Sequence, residues 1–176
     1  GALAEEAPAG LRRADFGQCG LEGAEGGGAV AALLVGAPGL RRLHCASNWG
    51  LSTAGVEAMA EGLRGAAPAL THLDLGECWL PAAAGVALAA LLAEARGVTR
   101  LDLSSNWELG AEGVAALAAA LPEGASLASL RLEKCGLAGV AGGRALGALA
   151  RRCPALERLE LANNWGLGAA GVEALV

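Results

Sequence analysis

The residues able to do chemistry in this chain are few: two histidines, five cysteines and a scatter of carboxylates and guanidiniums. Aligning the chain on itself sets His44 beside Asp74, with His72 close by. A histidine oriented by a carboxylate is the starting point of general-base chemistry. Here no nucleophile and no third ligand accompanies the pair, and the pattern leaves it on an open face, so neither catalysis nor metal binding is expected. The cysteines, at 19, 45, 78, 135 and 153, contain no C-x-x-C, which argues against zinc. Gly26-Gly27-Gly28 has no Lys and Ser/Thr after it and is not a phosphate loop. No cofactor and no enzyme activity is expected. Four tryptophans remain as residues able to grip another molecule.

Composition narrows the elements that can position these groups. The chain has 176 residues, enough for one ordinary domain. It is 54% hydrophobic but only 3% aromatic, with no Tyr and one Phe. Such a chain packs many small side chains in a thin layered fold. Its net charge is −5, without a basic block, so phosphate backbones would repel it and no nucleic-acid partner is expected. Its longest uncharged run, Gly26–Leu40, contains the glycine triplet and Pro38. It falls short of the roughly 20 apolar residues of a bilayer span, so no transmembrane segment is expected. Glu5 and Glu6 interrupt any signal peptide, although the chain lacks an initiator Met and a targeting segment could already be gone.

Six segments repeat one pattern, L-x-x-L-x-L-x-x-(N or C)-x-L, starting at Leu11, Leu40, Leu70, Val98, Leu127 and Leu156. The starts lie 28–30 residues apart. The L-x-L core alternates as a short strand. An Ala-rich stretch with helical spacing follows each one, as in Val86, Leu88, Leu91 and Leu92, or Val114, Leu117 and Leu121. Gly55, Gly85, Gly113 and Gly171 recur near the helix starts, where close backbone approach is expected. One strand and one helix cannot bury their own apolar faces, so the repeats must stack as a solenoid. Strands stack about 4.8 Å apart and helices about 10 Å apart, which bends the stack with its parallel sheet inside.

These six motifs resemble the leucine-rich repeat superfamily, in its long-repeat, ribonuclease-inhibitor-like class. The alternation Cys19, Asn48, Cys78, Asn106, Cys135, Asn164 at the pivot position is a further mark of that class. The resemblance implies an α/β solenoid, a horseshoe segment with helices on the convex side, and protein–protein recognition. This chain departs from the usual pattern by an extra residue after each pivot Asn, and by sheet faces poor in aromatic anchors.

The strand register places three outward rows on the concave face. The first is Arg13, Arg42, His72, Arg100, Ser129 and Arg158; the second is Asp15, His44, Asp74, Asp102, Arg131 and Glu160. The third, Gly17, Ala46, Gly76, Ser104, Glu133 and Ala162, is mostly small. Charge relief is expected along each strand, between Arg13 and Asp15, Arg100 and Asp102, and Arg158 and Glu160. Every Trp follows a pivot, so Trp49, Trp79 and Trp107 should form a file along one rim, with Trp165 resuming after Gly136. The rim and the outward strand residues are the candidate partner-binding groups. The alternatives are a stack that only shields the pivots and a solvated, self-neutralising face. The pivot Asn amides should satisfy backbone groups between repeats, and Cys thiols should do so more weakly.

The domain is read as residues 1–176, a single repeat domain. Residues 1–10 match the end of a preceding repeat, and neither end carries a polar cap, so a longer solenoid is expected. The pivot cysteines, two repeats apart, lie beyond the roughly 7 Å limit of a disulfide. Reduced, mostly buried thiols then point to an intracellular, reducing compartment: cytoplasm, or an organelle interior after transit-peptide removal. The function expected is a non-enzymatic scaffold or accessory subunit of a larger assembly. The alternative is a ligand-sensing or regulatory repeat region of a multidomain protein, like those of innate-immune receptors or GTPase regulators.

Overall fold

The computed structural model describes residues 10–176. The expected end of a preceding repeat, residues 1–10, therefore lies outside the described residues except for Gly10. Six three-residue strands form one parallel sheet in chain order: β1 (Arg13–Asp15), β2 (Arg42–His44), β3 (His72–Asp74), β4 (Arg100–Asp102), β5 (Ser129–Arg131) and β6 (Arg158–Glu160). After each comes a helix: α1 (Gly23–Gly36), α2 (Ser52–Gly62), α3 (Ala84–Glu94), α4 (Gly110–Ala120), α5 (Gly139–Arg152) and α6 (Gly168–Glu173). Each strand pairs in register with the next, so the three rows read from the sequence run straight across the sheet.

Inward positions build one continuous core. Leu43, Leu73, Leu101 and Leu130 from the strands, with Cys45, Leu75, Leu103 and Leu132 just after them, are buried against Met59, Leu88, Leu117 and Leu146 of the helices. No described helix has a side-chain cap; instead the leading N–H groups of Gly23, Gly110 and Gly139 donate to carbonyls of the following repeat, Gly50, Cys135 and Gly166, at 2.8–2.9 Å. The starts of α1, α4 and α5 are thus satisfied by stacking. Val86, expected on the buried face of α3, is instead exposed, because Gly85 turns to face α4.

Glycine sets how closely the helices approach, and in two classes rather than one. A Cβ on Gly27, Gly85 or Gly143 would overlap the carbonyl of Gly55, Gly113 or Gly171 in the next repeat. Gly85 therefore belongs with Gly27 and Gly143, and not with Gly55, Gly113 and Gly171. The first class lies in Cys-pivot repeats and the second in the Asn-pivot repeats that follow. The extra residue of the Asn turn shifts the helix relative to its strand, and so separates the classes.

The pivots divide the stack in the same way. Asn48, Asn106 and Asn164 each accept two backbone N–H groups of the preceding Cys repeat. Their Nδ2 groups donate to carbonyls in both repeats, as Asn106 does to Leu75 at 2.9 Å and Leu103 at 2.8 Å. The other seam is held more lightly: Cys78 Sγ donates to the Cys45 carbonyl and Cys135 Sγ to that of Leu103. Repeats one and two, three and four, and five and six are therefore strongly joined pairs.

Candidate functional site

The outward face of the sheet is a groove of about 320 Å³ lined by the first two rows from β1 to β5. Charge on this face is relieved mainly across strands, and less along them than expected. His44 Nδ1 lies 2.6 Å from Asp74 Oδ2, and its Nε2 lies 3.8 Å from Asp15. Arg131 reaches Asp102 at 2.9 Å, Glu160 at 2.8 Å and Glu133 at 3.0 Å. Its hydrogen bond to Glu133, then Asp102, raises its already high pKa. Of the three pairs expected along strands, Arg158 with Glu160 forms, at 3.5 Å, while Asp15 and Asp102 turn to neighbouring strands. Register neighbours lie about 4.8 Å apart, against about 6.6 Å for residues two apart on a strand. Asp15, Asp74 and Asp102 also accept the N–H two residues on, at 2.9–3.0 Å, which fixes their rotamers.

His44 and Asp74 thus meet as the sequence suggested, but both are half-exposed in an open groove with no nucleophile beside them. No group of three metal-ligating side chains occurs among the described residues.

All four indoles are exposed, at 58% for Trp49, 66% for Trp79, 55% for Trp107 and 76% for Trp165. They line the edge where the strands' carboxyl ends turn into helices. They do not form the expected file. Trp49 stacks on Trp79, with centroids 6.4 Å apart, and Trp107 meets Trp165 at 6.3 Å across the intervening repeat. Gly136, with φ +69°, carries no side chain there and leaves the gap that the two indoles close. Trp79 occupies the position of Gly20 and Gly136 and shares their left-handed backbone, at φ +51°. That conformation costs a side-chain-bearing residue about 1–2 kcal/mol.

The thiols divide four to one. Cys45, Cys78, Cys135 and Cys153 are buried, and Cys19 is exposed. Burial pushes the thiols of Cys45, Cys78 and Cys135 up to about 12, and raises that of Cys153. The thiolate is the reactive form. Ellman's reagent added to native protein at pH 8 should therefore react quickly with one thiol, Cys19, and with the other four only after denaturation. Fast release of two or more would contradict the sealed core.

A parallel sheet one strand per repeat, an Asn/Cys pivot ladder and an outward-facing groove define a leucine-rich-repeat solenoid. A leucine-rich-repeat family model matches residues 98–118 and 152–176. The chain is 36% identical over 151 residues to a ribonuclease inhibitor of Sus scrofa, covering 85% of this chain and 32% of that protein. It is 34% identical over 166 residues to a ribonuclease inhibitor of Mus musculus, covering 94% of this chain and 35% of that one. The leucine-rich repeat-containing protein LegL7 of Legionella pneumophila superposes with a TM-score of 0.58 at 18% identity, over 86% of this chain and 47% of that one, and shares the fold. This chain is a leucine-rich-repeat protein of the ribonuclease-inhibitor-like class. It spans about a third of the length of the two inhibitors it matches. No described helix is long and apolar enough to cross a membrane.

Proposed function

We propose that this chain is a non-enzymatic protein-binding module, a scaffold or accessory subunit, that docks its partner on the tryptophan edge and the adjoining concave face. The carrying observation is Trp79: an exposed indole held on left-handed backbone where equivalent repeats have glycine. Strain kept at an exposed aromatic fits a binding role, since stability alone would favour glycine. Tryptophan is enriched at interface hot spots, and the two stacked pairs present apolar surface at little entropic cost. The relatives are named as inhibitors of ribonuclease, a protein target, which supports a protein ligand. The concave residues Arg42, His44, His72, Asp74, Arg100, Asp102, Arg131, Arg158 and Glu160 form the polar part of this surface. Five unbridged thiols support a reducing compartment.

The test is native sizing followed by cross-linking mass spectrometry in the source extract. The chain should run in a larger particle, with cross-links clustered at the tryptophan edge and the first outward row. Trp79→Gly should change folding stability by no more than about 1 kcal/mol, because relieved strain offsets the lost stacking. It should nevertheless weaken the complex by about 30-fold or more, as loss of a hot spot does. Migration alone, or binding indifferent to Trp79→Gly and Trp107→Ala together, would overturn this reading.

A further inference from the structure

The two outward rows are balanced differently. Every ionisable group of the second row has a polar partner of the opposite kind within ion-pair distance, in two clusters, Asp15–His44–Asp74, an ion pair only when the imidazole is protonated, and Asp102–Arg131–Glu160. In the first row, Arg13, Arg42 and Arg100 pair with no carboxylate among the described residues. Yet Arg13 and Arg42 are direct register neighbours on β1 and β2, and Arg42 and Arg100 flank His72 from β2 and β4. Like charges set opposite each other destabilise a sheet. A row of unpaired guanidiniums beside a row rich in carboxylates is the local conflict found where a ligand supplies the missing charge.

His72 registers that field. A guanidinium can only donate, so Arg100 Nη1, at 2.9 Å, donates to His72 Nε2. The imidazole proton is then on Nδ1 and goes to Thr71 Oγ1 at 2.8 Å, whose hydroxyl donates to the Arg41 carbonyl at 2.9 Å. This relay holds His72 neutral. Burial, then Arg100, then Arg42 lower its pKa below 6.5. The charged groups facing it are Arg42 and His44 from β2, Arg100 and Asp102 from β4, and Asp74 on its own strand.

We propose that Arg42, His72 and Arg100 bind a compact dianion, the phosphoryl group of a phosphorylated side chain on the protein partner. This rests on the docking reading above and names the chemistry that the concave face recognises. Guanidiniums on alternate strands can close on a tetrahedral oxyanion from two sides, each in bidentate fashion. A single carboxylate would offset only one of the two fixed charges. The carboxylates of Asp15, Asp74 and Asp102 run alongside, so an extended polyanion lying across the sheet is repelled while a compact one on the first row is not. Arrival of the dianion draws Arg100 off Nε2 and lets His72 take a proton from solvent, so binding and protonation of His72 reinforce each other.

The test follows the two histidine Cε1–H signals by NMR while O-phospho-L-serine is added to the whole chain at constant ionic strength. The His72 signal should move saturably, with half-saturation at millimolar concentration, and its titration midpoint should rise by about one pH unit. His44, closed between two aspartates, should hold its position. Arg42→Gln and Arg100→Gln should each weaken binding at least about fivefold. No saturable movement up to about 50 mM, equal movement with serine and chloride, or joint movement of His44 would overturn the proposal. The two readings fail separately. A captured partner with an unmoved His72 removes the phosphoryl assignment alone. Phosphoserine binding without any partner removes the docking reading and leaves the anion site.

Discussion

Asn106→Ala is expected to cost about 4 kcal/mol of folding free energy, more than any other single side-chain truncation in the sheet. Asn106 is fully buried. Its Oδ1 accepts the N–H groups of Cys78 and Leu80 at 3.1 and 3.0 Å, and its Nδ2 donates to the carbonyls of Leu75 and Leu103. Truncation strands two donors and two acceptors away from water. Each stranded group costs about 1–3 kcal/mol, and partial relaxation keeps the total near the low end of that sum. Domains of this size have about 5–15 kcal/mol to lose. Urea denaturation should show the midpoint falling steeply, with amide exchange accelerating in both flanking repeats. Asn106→Asp should fare no better, because it keeps the acceptor but buries a charge and leaves both carbonyls without a donor. A loss below about 1 kcal/mol would mean that water replaces the amide at this seam.

Gly85→Ala and Gly28→Ala should act in opposite directions. A methyl on Gly85 would overlap the Gly113 carbonyl and sit 3.0 Å from both Ala116 Cβ and Leu117 N. α3 and α4 would have to separate, but Leu88 and Leu117, both buried, pin them to the core. Overpacking of this kind costs about 3 kcal/mol. Gly28 lies within α1 with nothing within 4 Å of the added carbon. There the methyl removes backbone freedom from the unfolded chain and improves helix propensity, a gain of about 0.5–1 kcal/mol. Urea midpoints at unchanged slope would measure both. Equal signs would show that helix spacing is not set by the glycines.

Much of this was legible because the repeat carries its own register. The period-2 alternation of Leu43 and Cys45, or Leu73 and Leu75, fixes which residues face the groove, and stacking then fixes their neighbours. Sequence spacing could not say which neighbour a charge would choose. Arg100 and Asp102 are two apart in sequence, but Arg131 is nearer to Asp102 across the sheet. Nor could it reveal the pairing of the indoles. That depends on the left-handed backbone at Trp79 and on the bare Gly136, which lets Trp107 reach Trp165. The displaced glycine class and exposed Val86 have one origin, the extra residue in the Asn turn, which shifts helix phase by a fraction of a turn. The basic and acidic rows were visible, whereas their unequal compensation required coordinates.

The alternation of tight and loose seams has a consequence for how such a chain can change length. Excising one repeat would set an Asn turn against another Asn turn, with no Cys-type backbone for the amide to hold, or a Cys turn against another Cys turn, with no amide between them. Excising two leaves every remaining joint as it was. Recombination within a gene of this kind should therefore preserve only even-numbered gains and losses. The reach of its inner face would then be a ruler graduated in steps of about 10 Å, two strands at a time.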